Sequence, residues 1–192
     1  MQKRDVGRLV TKALRHRPQM LNLHLDKAGY CNVDGLIKGL NLYGYEADKK
    51  LIEEIGKNER FSFNEKHTKI RADYGNSIGL KLSDMYETNE IPPEILYHGT
   101  SYDAIESIKR NGIVRFAKIG NARDHIFLTE RKDVAIKKGK RHGKAIALPI
   151  KAIQLHNDGF KFYHAKNDIW LISDTIPSNY IDFSNLIYEY VI

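Results

Sequence analysis

The hydrophobic positions near the start of the chain repeat with helical spacing. They are Val6, Leu9, Val10, Ala13 and Leu14. Because positions spaced in this way share one face of a helix, the pattern predicts an amphipathic helix over residues 4–16. Pro18 lacks a backbone donor and disfavours helical geometry at the residue before it, so this helix should end at Arg15-His16-Arg17.

The pattern then changes to shorter elements. Alternation of leucine with polar residues over 21–25 predicts an extended segment. Asp34 and Asp48 have side chains suited to helix N-caps, and they predict a helix over 35–40 and another that ends near Ile55.

A β-hairpin is predicted after these helices. Phe61 and Phe63 alternate with a polar residue, residues 64–67 form a turn, and residues 68–72 run back. Helices followed by a hairpin have the order of a winged-helix module, which we expect over residues 1–82. Such modules commonly bind nucleic acid, but the fold alone assigns no function.

The remainder of the chain is predicted to be strand-rich. Residues 83–94 are polar and contain Pro92 and Pro93, which is typical of a linker. Beyond it, strands are predicted at 95–98, 125–129, 145–150, 159–164 and 169–172, and helices at 103–111 and in a Lys-rich segment that ends at 140. The chain is therefore assigned to the α+β class, with a second lobe over residues 95–192.

Composition narrows the range of partners. The formal net charge is +7, of which +3 falls in residues 1–90 and +4 in the rest. The positive charge is therefore spread over both halves of the chain and is not confined to a basic tail. A basic protein of this kind is expected to have a polyanionic partner such as nucleic acid. Cys31 is the only cysteine, which excludes an intrachain disulfide and a cysteine-based zinc site. With no long apolar run, we expect a cytoplasmic protein without membrane contact.

Three clusters could carry chemistry. Arg15-His16-Arg17 combines phosphate-gripping guanidiniums with an imidazole that titrates near neutral pH, although a basic helix end also complements the helix dipole. His98-Gly99-Thr100 follows a strand and could contact a ligand, or it could be a structural turn. Gly139-Lys140-Arg141-His142-Gly143 could clamp a phosphate or form a solvated surface. Arg71 lies on the predicted return strand, and no metal-binding histidine pair occurs.

These motifs, in this order, resemble the RNA 2′-phosphotransferases, the family known as Tpt1 in eukaryotes and KptA in bacteria. The resembling segments are residues 14–16, 70–77, 96–100, 125–129, 139–143, 158–163 and 169–171. The resemblance implies a winged-helix lobe joined to an ADP-ribosyltransferase-like lobe. It also implies NAD as a co-substrate, no metal, and an RNA partner that carries a 2′-phosphate.

The family's activity implies a two-step reaction. The RNA 2′-phosphate attacks the nicotinamide-bearing ribose carbon of NAD and expels nicotinamide. The ribose 2″-hydroxyl then attacks that phosphate, which releases 2′-hydroxyl RNA and ADP-ribose 1″,2″-cyclic phosphate. Eukaryotic members act at tRNA splice junctions, so a tRNA-like substrate in tRNA processing is expected, and no protein partner is implied.

The resemblance also assigns roles to residues. Arg15, His16, Arg71 and Arg141 match the family's catalytic set, drawn from both lobes. His98, Gly99, Thr100 and Thr129 are expected to hold NAD. Guanidiniums suit this reaction because a phosphate dianion must approach the NAD pyrophosphate, and charge then builds on five-coordinate phosphorus.

The chain departs from the family pattern within residues 74–77. Tyr74 and Asn76 stand where many members have Gln and His, and Phe127 replaces a frequent His. Two other functions stay open: ADP-ribosylation of a nucleic-acid phosphate without the second step, and a non-catalytic winged-helix nucleic-acid-binding protein. The first would leave ADP-ribose on the RNA, and the second would bind nucleic acid without responding to NAD.

Overall fold

The computed structural model describes residues 3–58, 60–87, 90–115, 117–118, 121–122, 125–140, 143–166 and 168–186. The chain divides into two compact units, which are Met1–Met85 with Ala117–Asp124 and Tyr86–Phe116 with His125–Ile192. The described residues form helices and antiparallel sheets, which confirms a mixed helix–strand architecture. The predicted limits of the lobes and of the linker stay a prediction.

The first unit combines helices with a three-stranded sheet. Its described helices are α1 (Lys3–Arg15), α2 (Val33–Leu42), α3 (Lys49–Gly56) and α4 (Leu82–Met85). Its three-stranded sheet contains β1 (Cys31–Asn32), β2 (Phe61–Phe63) and β3 (Lys69–Ala72), in the order β1-β3-β2. The short strands β5 (Ala117–Lys118) and β6 (Asn121–Ala122) pair with each other. In β3, Arg71 pairs with Ser62 and Ile70 with Phe63, so the predicted hairpin is confirmed.

Burial explains why these elements form. The apolar face of α1 is buried in one core together with α2, α3 and the sheet, and Val10, Leu36 and Ile70 are completely inaccessible there. Cys31 lies in the same core, and burial raises the pKa of its thiol to about 12. Cys31 therefore packs as a small hydrophobic residue of this core.

Two local predictions in the first unit are wrong. Asn32, not Asp34, caps α2, because the Asn32 side chain accepts hydrogen bonds from the backbone N–H groups of Asp34 and Gly35. The predicted extended segment over 21–25 forms no strand, because Leu21 ends a 3₁₀ helix, Pro18–Leu21, and Asn22 follows it with a left-handed φ of 52°. The first position of this 3₁₀ helix suits proline. Asp48 does cap α3 by accepting a hydrogen bond from the Leu51 N–H.

The second unit is built on a five-stranded antiparallel sheet. The strands are β4 (Ile95–Ser101), β7 (Ile126–Thr129), β8 (Ala145–Lys151), β9 (Phe162–Ala165) and β10 (Ile169–Ile172), in the order β8-β4-β7-β10-β9. The helices are α5 (Ile105–Asn111), α6 (Lys132–Gly139) and α7 (Ala152–Asn157). Leu96, Leu128, Leu148 and Ile172 lie in its apolar core.

The predicted strands of this unit are confirmed to within a few residues, whereas α7 was not predicted. Gly112 ends α5 at a φ of 71°, and a Cβ there would lie 2.2 Å from the Ile176 carbonyl oxygen. Both the conformation and the space therefore require glycine. Among the helices of the described ranges, none has the length and apolar character needed to cross a membrane.

Candidate functional site

The C-terminal end of α1 places Arg15 and His16 next to each other. The preceding residues Ala13 and Leu14 are buried in the core, which fixes the last turn of the helix. The backbone N–H groups of His16 and Arg17 donate to the Lys12 carbonyl at 3.0 and 3.1 Å, and the chain then turns away at Pro18. Arg15 is half-buried, whereas His16 and Arg17 are exposed.

Ser77 ties both residues to the segment that follows β3. Its backbone N–H donates to the Arg15 carbonyl oxygen at 2.9 Å, and its Oγ lies 2.8 Å from His16 Nδ1. A serine hydroxyl can donate or accept, so it can match either tautomer of the imidazole. With Nδ1 held in this way, Nε2 is the ring nitrogen positioned to exchange a proton with a ligand.

The Arg15 guanidinium lies against the ring of Tyr74. Its Cζ is 4.9 Å from the ring centroid. Nε and Nη2 are buried and have no hydrogen-bond partner among the described residues. Burial lowers the pKa of Arg15 and the nearby Arg60 charge lowers it further, whereas Tyr74 and the Asp73 carboxylate raise it. Because arginine stays protonated in proteins, the result is a charged group with two donors available to an anion.

Arg71 lies in a different environment. Its Nε donates to Asp73 Oδ1 at 3.3 Å, and its Nη1 donates to the carbonyl oxygens of Ala28 and Met85 at 3.3 and 2.7 Å. Its Cζ lies 4.8 Å from the centroid of the Tyr30 ring. The side chain is 12% exposed. Arg71 therefore joins three separate segments of the first unit.

Asp73 is the buried counter-charge of this region. It is 1% exposed, and Ser62 Oγ donates to its Oδ2 at 2.7 Å while Arg71 Nε donates to Oδ1. Its charge also raises the pKa of Arg15. Asp73 thus forms its hydrogen bonds with Arg71 and Ser62 and acts on Arg15 through its charge alone.

Asn76 is another buried polar residue of the segment 74–77. Its Nδ2 donates to Met85 Sδ at 3.6 Å, and its Oδ1 is buried without a hydrogen-bond partner among the described residues. An unsatisfied acceptor of this kind costs on the order of 1–3 kcal/mol unless a ligand supplies a donor. Asn76 can therefore accept a hydrogen bond from a ligand.

In the second unit, His98 on β4 is held in its neutral form. Burial is the main cause that lowers its pKa to about 4; the Phe127 carbonyl acts in the opposite direction, and the Lys138 ammonium contributes to the lowering. Nδ1 lies 3.0 Å from that carbonyl oxygen. Because a carbonyl can only accept, Nδ1 carries the proton in the neutral ring and Nε2 carries the lone pair. His98 can therefore accept a hydrogen bond from a hydroxyl or an amide.

The glycine next to His98 has a packing role. A Cβ on Gly99 would lie 1.8 Å from the Ala135 carbonyl oxygen, and one on Gly139 would lie 2.5 Å from that of Thr100. Helix α6 thus approaches the backbone of β4 as closely as two glycines allow. Thr100 is 9% exposed and Thr129 is fully buried, with its Oγ1 accepting from the Arg131 N–H at 3.2 Å. The NAD contacts of Gly99, Thr100 and Thr129 stay predictions.

The structure places Arg15 and His16 side by side at the end of α1, and Arg71 donates to Asp73, whose charge raises the pKa of Arg15. Arg141 and His142 lie outside the described residues, so the role assigned to Arg141 stays a prediction. Sequence reasoning missed the partners of these groups, namely Ser62, Asp73, Tyr74 and Ser77. For Asp73, Tyr74 and Ser77 the available signal was their position in the resembling segment 70–77, whereas Ser62 lies outside that segment and had none.

Known proteins similar to this chain match it over nearly its whole length. The model of the RNA 2′-phosphotransferase, Tpt1 / KptA family matches residues 1–174. A probable RNA 2′-phosphotransferase of Fusobacterium nucleatum is 39% identical over 183 residues, which cover 93% of this chain and 97% of that protein. Proteins of the same name from Flavobacterium johnsoniae (35% over 185 residues, 95% and 97% covered) and Pectobacterium atrosepticum (38% over 182 residues, 92% and 96% covered) are also similar.

Proposed function

Because the chain belongs to the RNA 2′-phosphotransferase, Tpt1 / KptA family, we propose that it removes an internal 2′-phosphate from RNA with NAD as co-substrate. We further propose that its first unit is a winged-helix lobe and its second an ADP-ribosyltransferase-like lobe. A tRNA-like molecule is the proposed RNA. The helix-then-hairpin order of the first unit and the antiparallel sheet of the second support this assignment.

The proposed chemistry has two steps. In the first, an oxygen of the RNA 2′-phosphate forms a bond to the nicotinamide-bearing ribose carbon, and the bond to nicotinamide breaks. In the second, the ribose 2″-hydroxyl loses its proton and attacks the phosphorus, and the RNA 2′-oxygen leaves and takes up a proton. The products are nicotinamide, 2′-hydroxyl RNA and ADP-ribose 1″,2″-cyclic phosphate.

The observation that carries the proposal is the donor edge of Arg15. A buried guanidinium whose Nε and Nη2 have no partner among the described residues is suited to a bidentate phosphate contact. Such a contact brings the RNA phosphate into place and offsets the charge that builds on its oxygens in the second step. Arg71 and Arg141 complete the proposed cationic set.

His16 is proposed to move the protons. Ser77 holds Nδ1, so Nε2 is the atom that accepts the 2″-hydroxyl proton and returns a proton to the RNA 2′-oxygen. His16 is exposed and therefore accessible to a large RNA substrate. The adjacent Arg15 places the phosphate donors within the same turn of the chain.

His98 is proposed to contact NAD. The chemistry that NAD supplies is an electrophilic ribose carbon with nicotinamide as a leaving group. The residues of β4 suit its neutral ribose and amide groups, because His98 is uncharged at neutral pH and presents Nε2 as an acceptor. Thr100 and Thr129 supply hydroxyl groups on β4 and β7. Gly99 can contribute only backbone groups.

The proposal is tested with one oligonucleotide that carries a single internal 2′-phosphate. The protein is incubated with it in the presence and absence of NAD, and the RNA is analysed by mass spectrometry while released nicotinamide is quantified. We expect the RNA to lose phosphate only with NAD, with one nicotinamide released for each phosphate removed. The same oligonucleotide with a 2′-hydroxyl is the control and should release no nicotinamide.

The alternatives give different results in this experiment. RNA that retains an ADP-ribose adduct supports an ADP-ribosyltransferase that stops after the first step. RNA that keeps its phosphate at every NAD concentration overturns the proposed reaction. In that case salt-dependent RNA binding that ignores NAD would support a non-catalytic nucleic-acid-binding protein.

A further inference from the structure

The Tyr74 ring lies against the Arg15 guanidinium. Neither the proposed reaction nor the family match explains this contact. We infer that Tyr74 is a positioning residue, which holds the Arg15 guanidinium by its face so that the in-plane donors remain available to a phosphate. The inference rests on the proposed function, because it takes the RNA phosphate as the ligand of Arg15. It concerns a position at which this chain departs from the common family pattern.

The burial of a cation such as the Arg15 guanidinium is unfavourable. Burial is the largest influence on the pKa of Arg15 and acts to lower it. A buried guanidinium therefore requires a stabilising neighbour, and a carboxylate is the usual one. A carboxylate, however, accepts hydrogen bonds from the same in-plane N–H groups that would bind a phosphate. Stabilisation by an acid would thus compete with the ligand.

An aromatic ring avoids this competition. The negative face of the ring attracts the cation through the face of the guanidinium, and this stacking itself consumes no N–H donor. In the structure the Cζ of Arg15 lies 4.9 Å from the Tyr74 centroid. Tyr74 also forms a side-chain hydrogen bond with Arg15, but Nε and Nη2 have no partner within the described part of the chain. The nearby Asp73 carboxylate raises the pKa of Arg15 but bonds to Arg71 and Ser62.

The backbone around Tyr74 keeps the ring in place. Gly75 has a φ of 80°, and a Cβ there would lie 3.4 Å from Arg15 Nη1. The Ser77 N–H donates to the Arg15 carbonyl oxygen. The segment 74–77 therefore contacts Arg15 at its backbone and at its guanidinium, which fixes the ring relative to the helix end.

Tyr74 is well suited to substitution. The ring is half-buried, and the apolar core of the first unit, as far as it is described, is formed by other residues. Tyr74→Phe keeps the ring and removes the hydroxyl, and Tyr74→Leu removes the ring. The two variants separate stacking from hydrogen bonding at the same position.

The test measures equilibrium binding without NAD, so it does not depend on turnover. The full chain is titrated with the 2′-phosphorylated oligonucleotide and with its 2′-hydroxyl counterpart, and the ratio of the two affinities reports on the phosphate. We expect Tyr74→Leu to reduce this ratio about tenfold and Tyr74→Phe to stay within about twofold of wild type. In an Arg15→Ala background, Tyr74→Leu should cause no further loss. A purely structural role for Tyr74 would not produce this dependence on Arg15.

Several results would overturn the inference. It fails if Tyr74→Leu keeps the wild-type ratio, if Tyr74→Phe loses as much as Tyr74→Leu, or if the loss persists without Arg15. Thermal unfolding of each variant checks the fold, and Tyr74→Met replaces Tyr74→Leu if the latter is not folded. A wild-type ratio of one would overturn the proposed function as well, whereas an unaltered ratio in Tyr74→Leu would overturn this inference alone.

Discussion

The two units prepare partly buried ionisable groups in opposite ways. In the first unit, burial lowers the pKa of Arg15, but the side chain stays charged and keeps donors without partners among the described residues. In the second unit, burial and the Lys138 charge lower the pKa of His98 to about 4, so the imidazole is neutral at physiological pH. The same physical cause thus yields a cation in one unit and a neutral acceptor in the other.

This difference shows that the ordinary pKa of a group decides whether burial changes its charge at neutral pH. Arginine loses its proton only far above neutral pH, so burial cannot discharge it. Histidine titrates near neutral pH, so a moderate shift changes its charge. A phosphate requires the first kind of group, and the ribose hydroxyls and amide of NAD are compatible with the second. Each unit therefore offers the kind of group that suits one of the two proposed substrates, the RNA phosphate for the first unit and NAD for the second.

Removal of the Arg15 guanidinium should produce the largest effect and tests the charged side of the comparison. We expect Arg15→Ala to lower kcat/KM for removal of the RNA 2′-phosphate by about a thousandfold, because donors aimed at developing charge contribute on this scale. Arg15→Lys keeps the charge but loses the planar fork, and it should recover only a small part of the activity. The measurement is phosphate loss from the oligonucleotide at subsaturating RNA.

Arg17 provides the matched control for Arg15. It lies two residues away, carries the same charge and is exposed. Arg17→Ala should stay within about twofold of wild type. Equal losses in Arg15→Ala and Arg17→Ala would show that general attraction of RNA explains the effect, and the specific role of the Arg15 donor edge would be wrong.

Substitution of Arg71 tests whether its positive charge stabilises the fold in addition to serving the proposed reaction. We expect Arg71→Ala to lower the free energy of unfolding by about 3 kcal/mol, because it leaves Asp73 buried at 1% exposure without its cation. Urea denaturation measures this, and NAD binding should persist. Dephosphorylation should also be lost.

The stability of two other variants sharpens this test. Arg15→Ala removes a cation that burial destabilises, so its free energy of unfolding should lie within about 1 kcal/mol of wild type. The double variant Arg71→Ala/Asp73→Ala should be more stable than Arg71→Ala, since no unpaired carboxylate remains. If Arg15→Ala and Arg71→Ala are destabilised equally, the proposed difference between the two arginines is wrong.

These partner networks mark the limit of what the sequence could predict. Local signals predicted the helix end and the hairpin. The helix end followed from the helical period of α1 and the proline after it, and the hairpin from the alternation of Phe61 and Phe63 with a polar residue. The bond from Arg71 to the Met85 carbonyl joins residues 14 positions apart, and that to Ala28 joins residues 43 apart. No local pattern encodes such contacts. The packing of Gly99 against Ala135 was missed for the same reason.

The neutral state of His98 can be tested by measuring how the free energy of unfolding depends on pH. Because the pKa of His98 is about 4 in the folded chain and near its usual 6.5 in the unfolded chain, the unfolded chain binds more protons between these values. The free energy of unfolding should therefore rise with pH from about 4 to about 6.5, and His98 should contribute roughly 3 kcal/mol to that rise. The contribution is obtained by subtracting the profile of His98→Gln, which removes the titrating group. Parallel profiles would show that His98 is not held neutral by the fold.

Ser77→Ala should produce the smallest effect, because it alters the orientation of His16 without removing a reacting group. The backbone hydrogen bond from residue 77 to the Arg15 carbonyl is retained in this variant, so the loss is confined to the contact between Oγ and Nδ1. We expect kcat to fall about fivefold with little change in the affinity for 2′-phosphorylated RNA, since one hydrogen bond contributes about 1 kcal/mol. Ser77→Thr keeps a hydroxyl and should restore most of the activity, and Ser83→Ala, at an exposed position in α4, should have no effect. If Ser77→Ala weakens RNA binding and leaves kcat intact, Ser77 acts on the Arg15 side of the helix end, and the orientation of His16 does not depend on it.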